Sequence, residues 1–508
     1  MVALIIHGHF YQPPRENPWT GEVEREIGAD PYHDWNERIH AECYGPNAFA
    51  HLIGEGGTIE RTLNNYENIS FNFGPTLLSW LERHHPKTYE RILHADRNSM
   101  VQRGGHGNAI AQAYGHAILP LSNERDRLTQ VLWGLADFRY RFRREPESLW
   151  LPETACDEAT LELLIDQGLR FVILAPGQAE RYRQPGSDEW HSVPNGEIDT
   201  SRPYRYPHRD GSGREIAIFF YDGPLARAIA FEQALISSRH LVDLFKQAAA
   251  RGPLVNVATD GETYGHHFKF GDLCLAHALE IEAQGEGFWI TNYGEFLDRY
   301  PAEFEVEIKK GGSSWSCAHG VGRWSRDCGC HTGGEAGWNQ QWRAPLSAAL
   351  EFLRDEAAIH FDRIGGELFV DPWAARNAYI ELILDRGRSR FEFLERYARH
   401  PLEPADQVQA LTLLEIQRHS LLMFTSCGWF FSELSGIETV QIMKYAARVI
   451  ELTDELGLPS SRARFLELMS EARSNLIEKG TGADIYQLYA EAVANGAPIP
   501  RWPEATIS

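Results

Sequence analysis

Two short acidic motifs and a set of histidines carry the residue types that could break a covalent bond. The apolar run Val255-Asn256-Val257-Ala258-Thr259 ends in Asp260-Gly261-Glu262-Thr263-Tyr264-Gly265-His266-His267, and Ser148-Leu149-Trp150-Leu151 ends in Pro152-Glu153-Thr154. A carboxyl that stays protonated beside one that stays ionised can serve as acid/base and nucleophile. Retaining glycoside cleavage needs such a pair about 5–5.5 Å apart. The neighbouring negative charge raises the pKa of the acid and so divides the roles between Glu153 and Asp260. His7, His9 and His106 follow short apolar runs and could hydrogen-bond sugar hydroxyls. Trp315, Trp324, Trp338 and Trp342 crowd one Gly-rich segment. An indole offers a ring face for sugar C–H groups and one N–H donor. Each acid alone also has a plain alternative, Glu153 as a surface carboxylate and Asp260 as a turn residue before Gly261.

Position argues for the first reading. Val2–Ile6 is a continuous apolar run and reads as a strand covered on both faces. Further strands are expected at Ile69–Phe73, Ser99–Val101, Ser148–Leu151, Arg170–Leu174, Ile216–Phe220, Val255–Thr259 and Gly287–Thr291. Helices are expected between them, among them Asn123–Phe138, Glu158–Gln167 and Ser238–Ala250. Seven or eight alternating units imply an α/β fold built as a parallel barrel. His7, His9, His106, Glu153, Asp222 and Asp260 all follow predicted strand ends, which in a parallel barrel meet at one mouth. The expected organisation is a catalytic barrel over 1–310, a Trp/Cys/Gly-rich segment lining the cleft over 311–343, and an α-helical domain over 344–508. Residues 15–50 are long, polar and aromatic, and are expected to form a lid.

The chain has 508 residues and a net charge of −22, which disfavours a nucleic-acid or anionic-membrane surface. No stretch approaches a membrane span. The amino terminus enters an apolar strand with no basic region before it, so a cytoplasmic protein with reduced thiols is expected at its seven cysteines. The sequence carries no signal for an oligomeric state.

The motifs together resemble glycoside hydrolase family 57. His7-Gly8-His9-Phe10-Tyr11-Gln12-Pro13 is similar to its His-x-His-Gln-Pro motif, with Phe-Tyr inserted before Gln12. Gly105-His106-Gly107-Asn108, Trp150-Leu151-Pro152-Glu153 and Asp260-Gly261-Glu262-Thr263-Tyr264-Gly265 resemble the next three. Ser313–Trp342 resembles the fifth region, although here it is rich in Cys and Gly. The resemblance implies a (β/α)7-type barrel followed by helices, acting on α-linked glucans or maltooligosaccharides without a cofactor. It implies Glu153 as nucleophile and Asp260 as acid/base. Residues expected at the sugar are His7, His9, Gln12, Trp35, His106, Trp150, Asp222, Glu262, His266, Trp315, Trp324, Trp338 and Trp342. The helical half, with Thr425-Ser426-Cys427-Gly428-Trp429, resembles an uncharacterised domain of one bacterial subgroup. Hydrolysis, glucan transfer and branching all remain open.

Two other classes compete. His7, His9, Asp260, His266 and His267 are plausible ligands of a catalytic metal, as in sugar deacetylases or mannosidases, but a pure metal reading leaves Glu153 without a task. A glucan-binding protein without catalysis would have no need to keep both acids. Separately, Cys317, His319, Cys328, Cys330 and His331 could make a closed zinc site. Their spacing is not the common Cys-x2-Cys, and the alternative is a loop with reduced buried thiols.

Overall fold

The computed structural model describes residues 1–385, 387, 389–491 and 493, so the end of the expected 344–508 domain lies outside the described residues. The chain divides into two compact units. The first holds Met1–Gln12, Gly28–Gln112 and Phe138–Ser316; the second holds Pro13–Ile27, Ala113–Asp137 and Cys317–Ser508. The segment 15–50, expected to form a lid, is divided between the units. Within it, Trp35–Ile39 and Gly45–Ala48 are α-helical, joined by a π-turn at His40–Tyr44.

The first unit is α/β. Strand Ala3–Phe10 is buried at every position, as an apolar run between neighbours on both sides must be. It pairs in parallel with Leu254–Asp260, Trp289–Ile290 and Ser70–Phe73. Ala111–Gln112 pairs in parallel with Leu149–Trp150, and Phe171–Leu174 with Glu215–Phe220. Helix starts follow local chemistry: Asp157, Ser237 and Asn292 each accept a hydrogen bond from the first turn of the helix that follows.

Two expectations for this unit are corrected. Ser99–Val101 is the last turn of helix Pro86–Gln102, in which Tyr89, Ile92, Asp96 and Ser99 are buried at helical spacing. The strand comes later, at Ala111–Gln112. Residues 176–214, where no strand is expected, are not merely loop, because Ala179–Arg183, His191–Ser192 and Pro203–Pro207 join a six-stranded mixed sheet with Phe304–Ile308. Prolines and arginines in these strands hide their period.

The second unit is helical. Arg343–Leu368 buries Leu346, Leu350 and Leu353 on one face, and Pro404–Leu422 and Ile437–Glu455 are further long helices of this unit. Two shorter helices, Pro372–Ala378 and Ile380–Leu384, follow within the expected α-helical domain. A further helix spans Arg462–Met469. Trp19 donates its indole N–H to Glu451, and Arg15 pairs with Glu26 and Glu438, which ties 13–27 to the helices of this unit. Trp133 donates to the carbonyls of Arg376 and Asn377, and Arg376 pairs with buried Asp126 at 2.7 Å. Among the described residues no helix is long and apolar enough to cross a membrane.

Candidate active site

Strand register assembles the site. His9 stands level with Asp260 on one side and with Asn72 on the other. Asn72 donates to Gln112 at 2.8 Å, and Gln112 stands level with Trp150, three residues before Glu153. Because these pairings are parallel, all these residues gather at the carboxyl ends of their strands.

Glu153 occupies a left-handed backbone conformation, φ +58° and ψ +23°. A non-glycine residue there carries strain of about 1–3 kcal/mol and persists only where its surroundings enforce it. The surroundings here are specific. Segment 313–316 bonds back onto the turn: Cys156 and Ser313 exchange both backbone hydrogen bonds, and Trp315 N–H donates to the Glu153 carbonyl. The Trp315 indole N–H and the Ser316 hydroxyl both donate to Glu153 Oε2, at 3.0 and 2.6 Å. Two donors on one carboxylate oxygen favour its charged form. Buried Gln178 braces the same turn, accepting from the Thr154 hydroxyl and donating to the carbonyls of Thr154 and Ser313.

Asp260 is treated oppositely. It reaches solvent, yet protein atoms crowd it; that desolvation, with the charge of Glu153, pushes its carboxyl up to about 7. The same desolvation and the Asp260 charge raise Tyr221, whose ring meets Trp315 edge-on at 6.3 Å. The two carboxyls thus sit in contrasting surroundings, Glu153 among hydrogen-bond donors and Asp260 desolvated beside a like charge.

The histidines act from behind. His7 is fully buried; its Nδ1 meets the Ser70 hydroxyl and its Nε2 the Asn72 oxygen, each at 3.0 Å. Asn72 in turn offers its amide N–H to His9 Nδ1 at 3.0 Å. Both rings stack on Trp150, with centroids 4.8 and 4.9 Å apart. Burial lowers both imidazoles to about 3, so both are neutral. With Nδ1 accepting, His9 carries its proton on Nε2. His7 and Trp150, the latter only 1% exposed, are thus supports, not the sugar contacts expected of them.

Other expected contacts are placed elsewhere. His106 precedes the strand Ala111–Gln112 instead of following one, and both its nitrogens are engaged: Nδ1 with Glu147 and Nε2 with Asp298, each at 3.0 Å, with Arg170 bridging the two acids. Asp222 caps helix Gly223–Phe231 and pairs with Arg251 at 3.0 Å. Alternation along the strand turns Tyr221, not Asp222, to the acids. Glu262 is buried and accepts from Tyr44 O–H at 2.6 Å and Tyr11 N–H at 3.1 Å, so it anchors the strand exit; burial raises it to about 8. Gly261 before it has Phe10 against its backbone, where a Cβ would lie 2.2 Å from the ring. Gln12 is half-buried and donates to the Tyr11 carbonyl. Trp35 meets His266 edge-on at 6.3 Å, and His266 pairs with Glu42.

Trp324 and Trp342 are 3% and 1% exposed within the second unit and present no ring face to a sugar, while Trp338 is half-buried there. Among the described residues, His7, His9, Asp260, His266 and His267 do not converge as a metal-ligand group. Sequence reasoning missed Asn72, Gln112, Gln178, Tyr221 and Ser316. Alternation at Tyr221 and the polar Asn72 inside an aromatic strand were the available signals.

Fold and site together define an α/β protein with two acids in contrasting environments at parallel strand ends. The profile of glycosyl hydrolase family 57 matches residues 4–309, and the chain belongs to that family. Residues 338–495 match a domain of unknown function, DUF3536. The chain is 25% identical over 107 residues to α-amylase 1 of Dictyoglomus thermophilum, a match spanning 21% of this chain and 15% of that amylase. Three solved structures share the fold. The exo-type maltose-forming amylase of Pyrococcus sp. ST04 is 17% identical with a TM-score of 0.67, over 92% of this chain and 82% of its own. The branching enzyme of Pyrococcus horikoshii is 15% identical with a TM-score of 0.53, over 95% and 96%. The 4-α-glucanotransferase of Thermococcus litoralis is 15% identical with a TM-score of 0.51, over 89% and 58%.

Proposed function

We propose that the chain is a retaining enzyme of α-linked glucans and maltooligosaccharides, with Glu153 as nucleophile and Asp260 as acid/base. The observation that carries this is the contrast between the two carboxyls: Glu153 is held by the Trp315 and Ser316 donors, while Asp260 is raised to about 7. Asp260 gives its proton to the glycosidic oxygen as Glu153 Oε attacks the anomeric carbon and the aglycone leaves. Ionised Asp260 then takes a proton from the acceptor hydroxyl, which displaces Glu153 and restores both groups. The acceptor is water in hydrolysis and a sugar hydroxyl in transfer; the family relatives named above include both kinds.

The expected (β/α)7-type barrel is part of the proposal. In its favour, bridges Phe71↔Ala109 and Ser148↔Phe171 join neighbouring parallel strands, and Asp222 N–H donates to the Asn256 carbonyl at 2.8 Å. With the pairings already given, these links connect neighbouring strands in the order that such a barrel requires. We also take the protein to be cytoplasmic; its free cysteines fit a reducing compartment.

The test is to incubate the wild type and Glu153→Gln with maltoheptaose and glycogen and resolve product lengths and branch points. Conversion by the wild type and none by the variant is expected. An inert wild type on every α-glucan would overturn the substrate assignment.

A further inference from the structure

The loop between Ile308 and helix Arg343–Leu368 contains little regular structure beyond the single turn Gly322–Trp324. Four potential ligands converge inside it. The ligand atoms of Cys317, His319, Cys328 and Cys330 all lie within 4.8 Å of one another. Cys317 Sγ is 3.8 Å from Cys328 Sγ, and Cys330 Sγ is 3.5 Å from His319 Nδ1.

These lengths have a chemical meaning. With Zn–S about 2.3 Å and Zn–N about 2.0–2.1 Å, the edges of a tetrahedron are about 3.8 Å between sulfurs and about 3.6 Å between sulfur and nitrogen. The sulfur pair is much too far apart for a disulfide, in which the bond is about 2.0 Å. The backbone shapes the site as well. Gly329, between Cys328 and Cys330, has φ +81°, a conformation that turns the chain sharply enough for both thiols to face inward. Backbone amides of His319 and Arg323 point at the Cys317 sulfur and that of Ala318 at the Cys330 sulfur, as a thiolate requires of its surroundings.

The charge balance fits. Arg343 is fully buried, donates to the Cys330 carbonyl at 2.8 Å, and has no carboxylate at ion-pair distance among the described residues. A buried cation needs a compensating charge. A divalent ion with three thiolates and a neutral imidazole has net charge −1 and supplies it.

We propose that Cys317, His319, Cys328 and Cys330 hold a structural zinc ion that staples this loop. Binding expels to solvent whatever protons the three thiols retain. Four protein ligands leave no open position for a substrate, so the ion shapes the loop without entering the reaction. His331, a candidate by sequence, is not a ligand: it is exposed and its Nδ1 accepts from Gly333 N–H. His319 takes that place.

The experiment is metal analysis of the full-length protein, purified without added metal or chelator, beside Cys328→Ser, Cys330→Ser and, as a control, Cys274→Ser. About one zinc per chain is expected in the wild type and the control, falling to background in the other two variants. Cobalt exchanged into the wild type should give the intense visible bands of a tetrahedral site and thiolate-to-cobalt charge transfer. Wild type without metal, with all three thiols open to alkylation in the native protein, would overturn the proposal. So would a Cys317–Cys328 disulfide in a peptide map, or zinc retained in both loop variants.

Discussion

At the scale of single residues, the proposed function rests on two carboxyls that differ in surroundings more than in chemistry. Asp260 has its carboxyl raised to about 7 and Glu153 accepts two short hydrogen bonds. The rate should therefore fall on the alkaline side as Asp260 loses its proton near pH 7. Removing the negative neighbour in Glu153→Gln should move the Asp260 titration downward, read by carbon-13 NMR of labelled aspartate. An unchanged titration would mean that crowding by protein atoms alone sets it. The sign for stability follows from the same shift. The folded state binds this proton more tightly than the unfolded chain, so stability falls as pH rises from the ordinary carboxylate range through about 7. Asp260→Asn should raise Tm at about pH 8 but not near pH 4, while lowering kcat about 10²–10⁴-fold. A variant that loses activity without gaining Tm at alkaline pH would show that Asp260 is not held in an unfavourable charged state.

At the scale of elements, the turn after Leu149–Trp150 and segment 313–316 form the device that aims Glu153. Gln178 ties them together from a buried position. Gln178→Ala leaves buried polar groups unpaired and should cost about 1–3 kcal/mol of stability. It should lower kcat more than it raises KM, because it displaces Glu153, the proposed nucleophile, and not the sugar contacts. His106→Ala makes the contrast. It breaks the ion cluster with Glu147, Arg170 and Asp298 and should lower Tm while leaving kcat/KM within about twofold, since surface ion pairs do not reach the chemistry. A large loss of kcat/KM in His106→Ala would return it to the site.

The contrast also marks what a sequence can show. Glu153 and Asp260 were legible because each ends an apolar run, and parallel pairing converts strand ends into one location. His106 was misplaced because Ser99–Val101 ends an amphipathic helix whose period is visible only over the whole of Pro86–Gln102. Asp222 follows a strand end as the sequence indicates, yet it caps the next helix, and Tyr221 is the residue beside Asp260. Gln178 and Ser316 act through long-range pairing of loops, which leaves no local period to read.

At the scale of the whole molecule, the two compact units are interleaved in sequence. Residues 13–27 and 113–137 belong with the helical unit, where Trp133, Asp126 and Arg376 are buried together. A chain truncated after Ser316 keeps those segments but loses their core. It should aggregate or lose cooperative unfolding, checked by circular dichroism and sedimentation; a stable, active truncation would show that the helical unit is dispensable. The measurement that tests the central claim most directly is capture of the covalent intermediate. A 5-fluoro-α-glucosyl fluoride should leave one sugar on the peptide carrying Glu153, found by mass spectrometry and absent in Glu153→Gln. Turnover of α-glucans with no adduct, or an adduct on Asp260 instead, would contradict the assignment of the nucleophile.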